Sequence, residues 1–178
     1  RLHGKAGDTV RIYHAEVLDK AGNFYTTNLR NAKATTTCIL GDGASMFEPT
    51  MTFYGFRYIK VEGVDGDLNL DDFTAEVVYS GFENTGTFTS SNATINRLQS
   101  NIEWGFHDNF VDVPTDCPQR DERLGWTGDA QIFVGSAMFN MDCKAFYEKY
   151  ACDLRDSQYG NGAVGGVAPH VPHFDYTE

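Results

Sequence analysis

At 178 residues, with 41% hydrophobic and 22% charged side chains, the chain has the composition of an ordinary folded protein, large enough for one medium domain or two small ones. Its net charge of −11 and pI of about 4.7, with no Lys/Arg cluster, argue against a nucleic-acid partner, because a face that tracks phosphate is basic. No run of eighteen apolar residues is present, so no membrane-spanning helix is expected, and the opening residues do not read as a signal peptide.

The first half reads as β. Thr9 to Val17 alternates, with Val10, Ile12 and His14 on one face and Arg11, Tyr13 and Ala15 on the other. DKAGN at 19–23 is a turn. Thr35 to Leu40 is a β-branched run closed by GDG, and 51–54, 56–62 and 73–79 are further short strands by composition. Several short strands between Gly and Asp punctuation predict a β-sandwich, thin enough at about five strands to lack a front half.

From residue 85 the period changes. Ile95, Leu98, Ile102 and Phe106 recur at three and four, which predicts an amphipathic helix with Ser91 or Asn92 as N-cap. A charged loop follows. Thr127 or Gly128 to Asn140 is apolar nearly all round and predicts a buried helix. Phe146, Tyr147, Tyr150 and Leu154 mark a third helix, and a glycine-rich stretch follows it. The expected organisation is therefore multi-domain, β then α, with 1–84 the β part and 85–178 the helical part. Neither half looks closed on itself, and both ends read as cut, as in an internal segment of a longer protein.

Most isolated motifs have plain structural readings. Cys38, Cys117, Cys143 and Cys152 contain no C-x-x-C pair, and nine helical residues span about 13 Å, too far for Cys143 to bridge Cys152. Free, largely buried thiols are expected. DGDLNLDD at 65–72 resembles a calcium loop, but Leu70 stands where that loop needs Gly, so a solvated turn is expected. His170 and His173 flank Pro172, which excludes helical ligand spacing, and His107 sits where a helix C-terminus favours it.

Residues 112–129, DVPTDCPQRDERLGWTGD, stand apart. Five carboxylates and two arginines surround one Trp, directly before the apolar run AQIFVGSAMF. Thr115 and Asp116 can cap backbone amides, and Arg120 and Arg123 can bridge helices. The same residues suit a sugar site. A glycosidase needs one carboxylic acid to protonate the leaving oxygen, further carboxylates for hydroxyls, and an aromatic face for the apolar side of the ring. Asp116, Glu122, Trp126 and Asp129 supply such a set.

DVPTDCPQRDERLGWTGDAQ resembles the signature of bacterial α-L-rhamnosidases, glycoside hydrolase family 78. GDTVRIYHAEVLDKAGNFYTTNLRNAKATTTCIL and FEPTMTFYGFRYIKVEG resemble the sandwich that precedes the catalytic domain there, and the likeness runs on through DSQ and GGVAPHVP. It implies a partial, jelly-roll-like β-sandwich followed by the first helices of an (α/α)6 barrel. It implies hydrolysis of terminal α-L-rhamnosyl groups of glycosides or polysaccharides, with inversion and with no metal or cofactor. By position, Glu122 matches the general acid, and Asp116, Trp126 and Asp129 match residues lining the rhamnose site, with Arg120 holding or contacting it. The general base matches nothing here and is expected outside this chain, so the remainder of its own polypeptide is an implied partner and the isolated chain is expected to be inactive.

As an acid near neutral pH, Glu122 needs its proton held by burial against Trp126 and by the charges of Asp116, Asp121 and Asp129, with Arg120 and Arg123 turned toward structural partners. The alternative is a non-catalytic carbohydrate-binding or structural remnant. In that reading Tyr13, Tyr25, Tyr54 and Phe56 form a sugar platform, although such residues more often fill a sandwich core.

Overall fold

The computed structural model describes residues 2–171. It separates into two compact units, one of residues 1–76 with 119–121 and one of residues 77–118 with 122–178.

The first unit is built on antiparallel ladders. Strand β1 (Leu2–Gly4) pairs with β6 (Gly43–Ser45). Strand β2 (Thr9–Ala15) is the centre of a three-stranded sheet between β5 (Thr35–Ile39) and β7 (Tyr58–Glu62). Val10 lies opposite Cys38, and Ile12 is flanked by Thr36 and Val61. The alternation puts Val10 and Cys38 into one core with Leu2 and Leu40, covered by Ile12, Val61, Val64 and Phe73.

The turn at 19–23 joins the short ladder of β3 (Val17–Leu18) and β4 (Phe24–Tyr25). Its geometry comes from Asp19, whose carboxylate accepts from the amides of Ala21 and Asn23 and from the Asn23 side chain. His14 is buried, with its ring stacked on Tyr54 at 4.2 Å and edge-on to Phe56. Its Nδ1 lies 3.2 Å from the Ala34 carbonyl, which can only accept, so Nδ1 carries a proton. Burial lowers the pKa of this ring. Tyr13 lies under the Lys60 ammonium. These rings are thus engaged with the unit's own side chains.

The expected strands at 51–54 and 73–79 do not form. Both segments have β-type composition, but no described strand offers them a ladder, and a strand is held by its partner as much as by propensity. DGDLNLDD is a capped turn. The Asn69 side chain accepts from Asp71 N–H, while Asp72 reaches back to Asn69 N–H.

In the second unit, helix α1 (Ala93–Asn109) starts at Asn92, whose side chain accepts from the amides of Thr94 and Ile95. Helices α2 (Thr127–Asn140) and α3 (Lys144–Asp156) follow. Phe106, Phe110, Ala137, Met141, Cys143 and Phe146 form the core, with Phe82, Ile102 and Tyr147 against it. Phe110 stacks on Phe146 at 4.9 Å and 7°.

The predicted apolar face of α1 is half used: Phe106 is buried and Ile102 partly so, but Ile95 and Leu98 are exposed. The burial expected of α2 is overturned. Only Ala130 and Ala137 are buried, while Ile132 and Phe139 are 84% and 83% exposed. The helix is apolar all round, but the described residues cover one narrow side of it. All four cysteines are free, and Cys152 is exposed. His170 donates its amide to Ser157 Oγ, and His173 lies outside the described residues. No described helix is long and apolar enough to cross a membrane.

Candidate active site

The charged loop leaves α1 through a tight reversal. Strand β8 (Phe110–Val111) folds back on β9 (Val113–Pro114), with Asp112 at φ 67° between them and its amide on Ser80 Oγ. Thr115 donates both its amide and its hydroxyl to the Asn109 carbonyl. The chain is thereby pinned just before Asp116.

The far end of the loop is fixed more firmly. The Gly125 carbonyl accepts from the Tyr150 hydroxyl at 2.9 Å and from Ala168 N–H at 2.8 Å. Gly125 must be glycine, since a Cβ there would run into the Ala168 carbonyl. Thr127 donates its amide to the Gly166 carbonyl. Between these anchors the Trp126 indole N–H donates to the Glu122 carbonyl at 2.8 Å, which closes the 122–126 turn and holds the ring to the loop. Trp126 is half-buried and is the N-cap residue of α2, in extended conformation. Asp129 is exposed in the first turn of α2, where the helix dipole favours a carboxylate.

Asp116 and Glu122, six positions apart, come together. Their carboxylate oxygens and the Cys117 sulfur all lie within 4.8 Å of one another. Cys117 is buried, and the two carboxylates are half-buried. Burial pushes the Asp116 carboxyl up, and the Glu122 charge pushes the same way. Hydrogen bonds from the Cys117 thiol, its own amide and Leu124 N–H oppose that rise. Asp116 Oδ1 is nonetheless buried without a hydrogen-bond partner. A buried acceptor left open costs free energy, and such groups concentrate at sites of function. The three offer one ligand atom each, one fewer than a closed four-coordinate structural site takes.

Arg120 is not grouped with these residues. Gln119–Asp121 belong to the first compact unit, where the Asp121 carboxylate accepts the Asn31 amide at 3.2 Å. Asp116, Glu122, Trp126 and Asp129 belong to the second. Cys117, expected as a free and buried thiol, is both, and the structure adds that its sulfur lies against the two carboxylates.

Residues 83–178 match the bacterial alpha-L-rhamnosidase 6 hairpin glycosidase domain, and residues 1–79 match the bacterial alpha-L-rhamnosidase concanavalin-like domain. The chain belongs to the bacterial α-L-rhamnosidase family. An alpha-L-rhamnosidase of Formosa agariphila is 46% identical over 172 residues, which are 95% of this chain and 19% of that protein. The crystal structure of Streptomyces avermitilis alpha-L-rhamnosidase complexed with L-rhamnose matches with a TM-score of 0.91 at 45% identity, over 98% of this chain and 17% of that one. The alpha-L-rhamnosidase of Dictyoglumus thermophilum matches with a TM-score of 0.90 at 41% identity, over 98% and 20%. This chain thus spans about a fifth of the length of these relatives. The family order accounts for the fold: part of a β-sandwich, then the first helices of an (α/α)6 barrel.

Proposed function

We propose that the chain is the part of an α-L-rhamnosidase that carries the general acid. Residues 1–84 belong to its accessory β domain and 85–178 to the start of its catalytic barrel. The whole enzyme hydrolyses terminal α-L-rhamnosyl groups of glycosides or polysaccharides with inversion. Glu122 protonates the leaving oxygen. Asp116 and Asp129 hold ring hydroxyls, Trp126 covers the apolar face that carries the sugar's methyl group, and Arg120 supports the site.

The observation that carries this reading is the pairing of Asp116 with Glu122 on a loop whose Trp is anchored beside them. An inverting pair stands roughly 6.5–9.5 Å apart to admit water. Carboxylate oxygens within 4.8 Å leave no such room. Asp116 therefore fits a hydroxyl acceptor, with its open Oδ1, rather than the base; in this reading the base is supplied by the remainder of the polypeptide.

The test is Glu122→Gln in the full-length enzyme. On rhamnosides with poor leaving groups, turnover should fall by about 10²–10⁴-fold, the usual weight of a general acid. An activated aryl rhamnoside, whose leaving group needs no proton, should lose much less. Near-normal hydrolysis of the poor substrates would remove Glu122 from the role.

A further inference from the structure

We propose that Trp126 is a positioning residue for Glu122 as well as a wall for the sugar: its indole N–H, carried on a backbone fixed on both sides, holds the peptide of the acid and so aims the acid's side chain. The proposal rests on the reading of Glu122 as the general acid.

The backbone on either side of Trp126 is held from outside the loop. The Gly125 carbonyl accepts from the buried Tyr150 hydroxyl on α3 and from Ala168 N–H. Thr127 gives its amide to the Gly166 carbonyl at 2.9 Å, and its hydroxyl lies 3.1 and 3.2 Å from the Gly165 and Gly166 carbonyls. Trp126 itself forms an antiparallel bridge with Val167, and its carbonyl accepts from Ala130 N–H as α2 begins. Residues 165–168 thus run beside 125–127 as a strap, with Val167 and Ala168 buried.

From this platform the indole reaches four residues back, and its N–H donates to the Glu122 carbonyl at 2.8 Å. The Trp126 amide tightens the same turn by donating to the Leu124 carbonyl at 2.9 Å. The N–H is the one polar group of an indole, and here it points at the loop, so what the ring offers a sugar is its apolar face. A peptide is planar, so holding the Glu122 carbonyl holds the whole 122–123 peptide and restricts how the Glu122 Cα can turn. A general acid must stand within hydrogen-bond reach of the leaving oxygen, and small errors of placement cost rate. Sugar contact and proton delivery therefore share one side chain.

Replacing Trp126 by β-(3-benzothienyl)alanine in the full-length enzyme separates the two tasks, because sulfur takes the place of the N–H and the bicyclic ring is kept. Trp126→Phe removes the N–H together with part of the ring and serves should the isostere fail to fold. In the isostere, inhibition by free L-rhamnose should stay as it is. Its kcat on a poor leaving group should fall about 10–100-fold, the weight of a small misplacement. An activated aryl rhamnoside should lose much less. Trp126→Phe should show the same dependence on leaving group, with weaker inhibition by rhamnose. An isostere of normal rate, one with equal losses on both substrates, or one in which rhamnose binding and rate fall together would reduce the N–H to a support for the ring. So would a Trp126→Phe variant without dependence on leaving group. Glu122→Gln separates the two failures. If it shows the leaving-group dependence and the Trp126 variants do not, only the present proposal falls. If Glu122→Gln shows none, the acid assignment falls with it.

Discussion

Helices α2 and α3 follow one another in the chain, 14 and 13 residues long, and use their apolar side chains in opposite ways. Helix α3 is amphipathic. It buries Phe146 and Tyr150 and turns Lys144, Glu148, Arg155 and Asp156 to water. Helix α2 carries one charged residue, Asp129, yet buries only two alanines, and leaves Ile132, Met138 and Phe139 exposed. Burial here follows the partners on hand. An amphipathic face asks for one neighbour and α3 has it. A helix apolar all round asks for neighbours on several sides, and its small residues, Ala130 and Ala137, mark the side where others come close. The large exposed side chains of α2 form the kind of apolar patch that marks an interaction surface.

The comparison breaks most easily at Phe146. Its ring meets Phe110 face to face and Phe82 edge-on at 5.4 Å. Phe146→Ala should destabilise the chain by about 3–5 kcal/mol, read by chemical denaturation. A loss below about 1 kcal/mol would mean that α3 is no better packed than α2.

The next test sharpens the contrast between piece and whole. In the 178-residue chain, Ile132→Ser and Phe139→Ser should each change stability by about 0.5 kcal/mol or less, as exposed positions do. In the full-length enzyme, where further helices are expected to lie on α2, each should cost about 2–3 kcal/mol. Equal small effects in both settings would leave the α2 face solvated in the whole enzyme.

That contrast also explains what could be read from sequence. The order β then α was legible, because alternation gives way to a 3.6 period after residue 85. So were the Asp19 turn, the Asn92 cap and the buried face of α3, each set by a few neighbouring residues. Segments 51–54 and 73–79 were misread as strands, and α2 as buried, because both properties depend on a partner that local sequence does not specify. At the site, the motif singled out Asp116, Glu122 and Trp126, but not their contacts. Asp116 and Glu122 meet across a loop that no hydrophobic period describes, and the Trp126 indole is held on the Glu122 carbonyl. The grouping of Gln119–Asp121 with the β unit rests on contacts far away in sequence, such as the Asn31 amide on Asp121.

The smallest effect concerns the point where α3 supports the turn that leads into α2. The Tyr150 hydroxyl is buried and donates to the Gly125 carbonyl. Tyr150→Phe removes that bond but does not orphan the acceptor, because Ala168 N–H still serves it. The cost at neutral pH should therefore be near the low end for a hydrogen bond, about 0.5 kcal/mol. The same hydroxyl gives a pH signature. Burial, then the charges of Asp153 and Asp129, pushes its pKa up to about 12, above the roughly 10 of an unfolded tyrosine. A folded-state pKa that is raised gives stability that is complete below about pH 10 and is lost as the pH climbs toward 12. Tyr147 is pushed up by burial as well and adds a loss of the same sign. Melting curves at pH 8 and pH 11 should therefore show a smaller alkaline loss in Tyr150→Phe than in the unchanged chain, with the Tyr147 share remaining in both. Identical losses would mean that the Tyr150 hydroxyl is already open to water, and that α3 does not hold the turn before Trp126.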